Sequence, residues 1–125
     1  MSSYVLIIKV NRPENVEIGA LGNFKILSGF YSYVGAGGIT RIKRHFKRKK
    51  RLHWHIDYLL KIAEPLEAWI GEMEEVKLVE ILEGELRPYI KGFGSSDTRK
   101  FSHLFLGKPS NRLLKNLGYR KIEKF

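Results

Sequence analysis

The sequence predicts an α+β fold, a small mixed or antiparallel sheet of about three strands flanked by helices. Two strand-like runs carry the first half of that expectation: YVLIIKV at 4–10, nearly unbroken β-branched and aliphatic, and GFYSYVG at 29–35, aromatic and bounded by glycines. Helix-like segments carry the second half. Apolar residues recur at three- and four-residue spacing in 39–51, 53–63 and 72–86, with the short alternating run LEAWI (66–70) between the last two. The 125 residues suffice for one domain, residues 1–125, with its own core.

In chain order, 4–10 reads as a central strand covered on both faces, because it lacks polar alternation. NRPEN breaks it, and 15–28 reads as a long hairpin connection with a short strand near Val16–Ile18. The 29–35 strand returns beside the first. The first helix, 39–51, has Ile39, Ile42 and Phe46 as its apolar stripe and Arg41, His45 and Arg48 on a neighbouring face. The second, 53–63, turns Trp54, Tyr58, Leu59 and Ile62 inward and stops before Pro65. After the 66–70 strand, the third helix packs through Met73, Val76, Val79 and Leu82, with acidic residues suited to its first turn. GFGSSD (92–97) is a turn-rich loop and HLFLG (103–107) a short apolar element. The last helix starts at an N-cap, Ser110, and ends before a C′ glycine, Gly118.

A net charge of +10 and a pI of about 9.9 favour a polyanionic partner, nucleic acid above all. The absence of cysteine excludes disulfides, thiol catalysis and Cys-ligated zinc. The apolar run near the N-terminus is too short to span a bilayer and lacks the flanks of a signal peptide, so a soluble cytoplasmic protein with no membrane role is expected.

The stretch GFYSYVGAGGITRIKRHF (29–46) admits three readings. The glycines permit a strand-to-helix turn. They also precede a helix N-terminus, where phosphates bind, but GAGGITR matches neither the GxxxxGK[ST] loop nor GxGxxG. The third reading is a nuclease site. YVG at 33–35, followed by Arg41 and His45 one helical turn apart, resembles the GIY-YIG nuclease domain. SYVL, GFYSYVGAGG, RIKRHF, HWHIDYLL and GFGSSD…SHLF together resemble an uncharacterised, mostly archaeal family of GIY-YIG-like domains, some of them joined to DNA-repair glycosylases. The resemblance extends to about Leu106. The first-motif tyrosine maps onto Tyr4, with Ser2 and Ser3 in place of the Gly and Ile.

That resemblance implies an endonuclease using a single divalent ion, Mg²⁺ or Mn²⁺, on DNA rather than RNA, in a repair setting. Tyr4 and Tyr33 would lie side by side on adjacent strands and position water. Arg41 would clamp the phosphate, since a guanidinium fork matches phosphate oxygens. His45 would donate a proton or bind phosphate, and His53 would supply a second imidazole. Glu75 matches the metal carboxylate by its spacing to GFGSSD, with Glu74 and Glu80 as rivals. His55, Asp57, Gly94, Ser96, Asp97 and His103 would support the site. Two histidines and an aspartate in HWHIDY also raise a transition-metal site. Related sequences carry Cys-x-Cys just after the Asp, where this chain has Thr98 and Lys100.

The densest basic run, Lys43, Arg44, Lys47, Arg48, Lys49, Lys50 and Arg51, sits where a nucleic-acid backbone would pass and would give sequence-independent, salt-sensitive contacts. Arg99, Lys100, Lys108, Arg112, Lys115, Arg120, Lys121 and Lys124 form a second basic region. The alternatives are a binding module without catalysis and a protein-interaction domain whose charge serves solubility.

Overall fold

A computed structural model describes residues 2–122. The architecture is mixed α+β, and its strand pairs are antiparallel. β1 (Ser3–Val10) runs between β4 (Gly29–Ala36) and β5 (Glu64–Gly71), and those are the three strands expected. Short strands extend both edges: β6 (Arg87–Pro88) and β7 (Leu104–Leu106) beyond β4, and β8 (Arg120–Ile122) beyond β5, giving six in the order β6-β7-β4-β1-β5-β8. At two or three residues each, these additions are too short to show a period in the sequence. The 15–28 connection contains a second small sheet, β2 (Glu14–Glu17) against β3 (Asn23–Ile26).

β1 is covered on both sides. Tyr4, Leu6, Ile8 and Val10 enter one core with Ile42 of α1 (Ile39–Phe46), Ile56 and Leu59 of α2 (His55–Leu59), and Val16 and Ile26 of the small sheet. Val5 and Ile7 enter the other, with Leu78, Val79 and Leu82 of α3 (Glu75–Glu83) and Leu114 of α4 (Asn111–Asn116). Helices α1 and α2, of eight and five residues, are below the length at which helices persist alone. Packing holds them, each fully buried Ile or Leu contributing about 1.5–3 kcal/mol.

Three helices are shorter than expected. α1 ends at Phe46 instead of 51, because Lys47 adopts an extended conformation and the following basic run has no acidic residue to relieve repulsion along a helix. α2 starts after Trp54, whose extended backbone makes it the N-cap; the Asp57 carboxylate accepts from the Trp54 and His53 amides at 2.8 and 2.9 Å and fixes the start. α3 loses its first three and last three expected residues, and Leu78 joins Val79 and Leu82 as its buried positions. α4 follows the sequence closely: the Ser110 hydroxyl accepts from the Leu113 amide at 3.1 Å, and Gly118 has φ +84°. Among the described residues, no helix is long and apolar enough to cross a membrane.

Candidate nucleic-acid interface and phosphodiester site

Strand register brings the two phenols together. Tyr4 lies opposite Gly35, and Tyr33 lies opposite Leu6, so the tyrosines are diagonal neighbours on one face, their ring centroids 6.5 Å apart. Gly35 is required there, since a Cβ at that position would overlap the Tyr4 ring. Gly94, at φ +66°, is required on the other side: a Cβ would sit 3.0 Å from the Tyr33 ring.

His45 of α1 completes the cluster. Its Nε2 is 2.6 Å from the Tyr4 hydroxyl, and its ring meets that of Tyr33 edge-on at 6.1 Å. Burial lowers its pKa to about 4, so it is neutral at physiological pH. His45 is thus a neutral hydrogen-bond partner of the Tyr4 phenol, and its Nδ1 is buried without a hydrogen-bond partner among the described residues. Burial also pushes both phenol pKa values up, with Arg41, Glu75 and Asp57 near enough to act on each. Two phenols, a guanidinium and a carboxylate thus share one neighbourhood.

Of the three glutamates, Glu75 is the one placed beside the phenols. Its Oε2 lies 3.3 Å from Nδ1 of the fully buried His103, whose Nε2 is 2.8 Å from the Thr98 hydroxyl. Glu80 instead pairs with Lys100 at 3.0 Å, and Glu74 is the exposed N-cap of α3. His55 accepts from the Gly94 amide through Nδ1 at 2.8 Å and so holds the 92–97 loop. Ser96 and Asp97 are exposed on that loop and make no hydrogen bond among the described residues, because the turn closes through Ser95 and Thr98 instead.

His53 is not brought to the phenols. It is exposed, its ring edge-on to Trp54 at 5.1 Å, and its backbone amide serves Asp57. Its imidazole, His55 and Asp57 do not converge: among the described residues no three His, Cys, Asp or Glu side chains gather as a metal site. Asp57 has another task. Its buried carboxylate takes both ends of the Arg44 guanidinium, at 2.7 and 2.8 Å, tying α1 to the start of α2. Burial alone would raise its pKa, but Arg44 and the two amides hold it below the usual carboxylate range.

A concavity of about 630 Å³ lies at the N-terminal end of α1, lined by Ala36, Gly37, Gly38, Arg41, Arg44 and Trp54 among others; neither phenol nor Glu75 lines it. The Arg41 and Arg44 guanidinium carbons are 4.7 and 4.5 Å from the Trp54 ring centroid. Arg41 is exposed and donates to the Ala36 carbonyl at 2.7 Å. Trp54, expected as a core residue, does pack against the core, and as the half-buried N-cap of α2 it also lines the concavity. Lys47 is shared with a second concavity, which shares Arg48, Lys50 and Lys61 with a third. Lys47, Arg48, Lys49 and Lys50 thus line neighbouring concavities. Lys43 and Arg51 are exposed but line none of them, and Lys50 donates to the His45 carbonyl at 3.2 Å.

No match to the chain was found among curated proteins or solved structures. A family model does match, over residues 3–123, described as a domain of unknown function, DUF123. The span covers both edges of the sheet and every side chain of the site just described, and on it the chain belongs to the DUF123 family.

Proposed function

We propose that this domain binds nucleic acid along the basic α1–α2 surface and hydrolyses its phosphodiester bonds, in the manner of the GIY-YIG nucleases it resembles. Two observations support the reading: the packed cluster of Tyr4, Tyr33 and His45, and a concavity lined by Arg41, Arg44 and Lys47 on the same helix as His45. DNA is the preferred substrate, with structured or damaged DNA ahead of plain duplex.

Arg41 has one backbone acceptor and is exposed, so its remaining N–H groups are available to phosphate oxygens. Tyr4 and Tyr33 stay protonated at neutral pH; both are buried and the Tyr4 hydroxyl is engaged by His45, so positioning of water by either phenol requires the pocket to open on substrate binding. The neutral His45 ring, its Nε2 2.6 Å from the Tyr4 hydroxyl, fixes the orientation of that phenol without taking its proton. Glu75, with its side chain 24% exposed and one oxygen on His103, suits a hard divalent cation completed by water and substrate oxygens. Bound Mg²⁺ or Mn²⁺ would supply charge stabilisation at the phosphoryl group.

The test is incubation of the protein with flapped, nicked and branched DNA, and with RNA, in Mg²⁺ or Mn²⁺. Cleavage is expected, and Arg41→Ala or Glu75→Ala should each lower it about a hundredfold or more without loss of folding. A wild-type protein that binds with a steep salt dependence and never cuts is a binding module. Failure to bind even at low salt overturns both readings and leaves a protein-interaction domain.

A further inference from the structure

We propose that the Trp54 concavity receives an unpaired nucleotide, its base stacking against the indole and the adjoining guanidinium planes. This deepens the nucleic-acid part of the proposed function and rests on it. A base inside a duplex has both faces occupied by its neighbours, and a continuous duplex offers such a surface only sugar and phosphate. An indole set in a concavity of about 630 Å³ is therefore wasted on a duplex, whereas an unstacked base has a free π-face and the size to enter.

The surrounding contacts make the subsite rigid on one side and adaptable on the other. Arg44 is immobilised, its guanidinium held by both oxygens of Asp57 and by the Arg51 carbonyl at 2.7 Å, so it keeps Trp54 in place. Arg41 rests near the same ring with a single hydrogen bond, to Ala36, and can swing to a phosphate while the base takes its place. The other tryptophan provides the contrast. Trp69 is fully buried, donates to Glu67 at 2.8 Å, and is a core residue.

The test uses the full chain in EDTA, so that binding is read without cleavage. The probes are a single-stranded oligonucleotide and a flapped duplex, each with 2-aminopurine at an unpaired position, and a blunt duplex of equal length with 2-aminopurine paired. The unpaired probes should bind about tenfold or more tighter than the duplex, with quenching of the fluorescent base. Trp54→Ala should remove both the preference and the quenching while leaving duplex binding within about twofold, and Trp54→Phe should retain most of each. Equal affinity for duplex and unpaired probes, or quenching that survives in Trp54→Ala, overturns the proposal. Should Trp54→Ala not fold, the absence of quenching with wild type is decisive by itself. Metal-dependent cutting of plain duplex with no stacking would remove this subsite and leave the hydrolytic reading standing.

Discussion

The two basic regions of this chain look alike in the sequence and differ in the fold. In the second, Lys100 is bound to Glu80 and Glu83 at 3.0 and 3.6 Å, Lys121 to Glu67 at 3.8 Å, and Lys108 stands over the Phe30 ring at 4.9 Å, while Arg99, Arg112, Lys115 and Arg120 are exposed and form no ion pair among the described residues. Lys124 lies outside the described residues. In the first, only Arg44 is given to a carboxylate. Among the described residues, Lys43, Lys47, Arg48, Lys49 and Arg51 form no ion pair. The one pair that does form there is buried on the acid's side and organises the rest, since Asp57 fixes the α2 start, Arg44 and thereby Trp54. Charge that is already neutralised does little for a polyanion; charge left open around a shaped surface can release counterions from one.

The sharpest way to break that contrast is at Asp57. Asp57→Asn removes the buried carboxylate that holds Arg44 and the two amides at the α2 start, and a loss of about 1–3 kcal/mol is expected in denaturant unfolding. Removing Glu80 and Glu83 together should leave the melting temperature unchanged, because the ammonium they hold is at the surface. Because the folded Asp57 pKa is depressed, its contribution is complete above about pH 3.9 and is lost as pH falls through the folded value. Asp57→Asn should lack that acid loss.

His45 sharpens the comparison from the other side of α1. Its pKa falls from about 6.5 in the unfolded chain to about 4 in the fold. The unfolded state binds more protons between those values, so stability is complete above about pH 6.5 and declines by about 3 kcal/mol as pH drops to 4. His55, lowered by burial, acts with the same sign, so the measurement is the difference between wild type and His45→Gln, whose profile should be flatter over that window.

The smallest effects separate the two regions by binding alone. Changing Lys47, Arg48 and Lys49 to Gln should reduce the slope of log affinity against log salt by about 2–3 on a DNA duplex. The same change at Lys100, Lys108 and Lys121, two of them held by carboxylates and one over the Phe30 ring, should lower the slope less. Equal effects from both triple variants would erase the distinction drawn between the regions.

The central strands were legible because their signals are local. The aliphatic run of β1 and the glycine-bounded aromatics of β4 state their own conformation, as do the serine and glycine that bracket α4. The edge strands β6, β7 and β8 were not legible, since pairing with a neighbour defines them more than any pattern of their own. Tyr4, Tyr33, Arg41, His45 and Glu75 were named as candidates by the resemblance; the fold packs Tyr4, Tyr33 and His45 together, while Arg41 contacts Ala36 and Trp54 and Glu75 contacts His103. His53 came with the same motif but sits on an extended segment that carries it to the rim. Trp54 packs against the core as expected, but as the N-cap of α2 it is only half-buried and also lines the concavity, a second role that helical spacing alone does not reveal.

By itself, the sequence determined the α+β class, the central strand, the excess of positive charge and the residue types available for chemistry. Periodicity, composition and capping are properties of neighbours along the chain, and they require no partner from elsewhere. Tertiary structure alone decided which glutamate stands beside the phenols, that His45 is neutral, and which cations remain open. Those outcomes depend on burial and on distances between segments far apart in the chain, such as α1 with α2 and α3 with the 92–103 loop, and no local pattern encodes either.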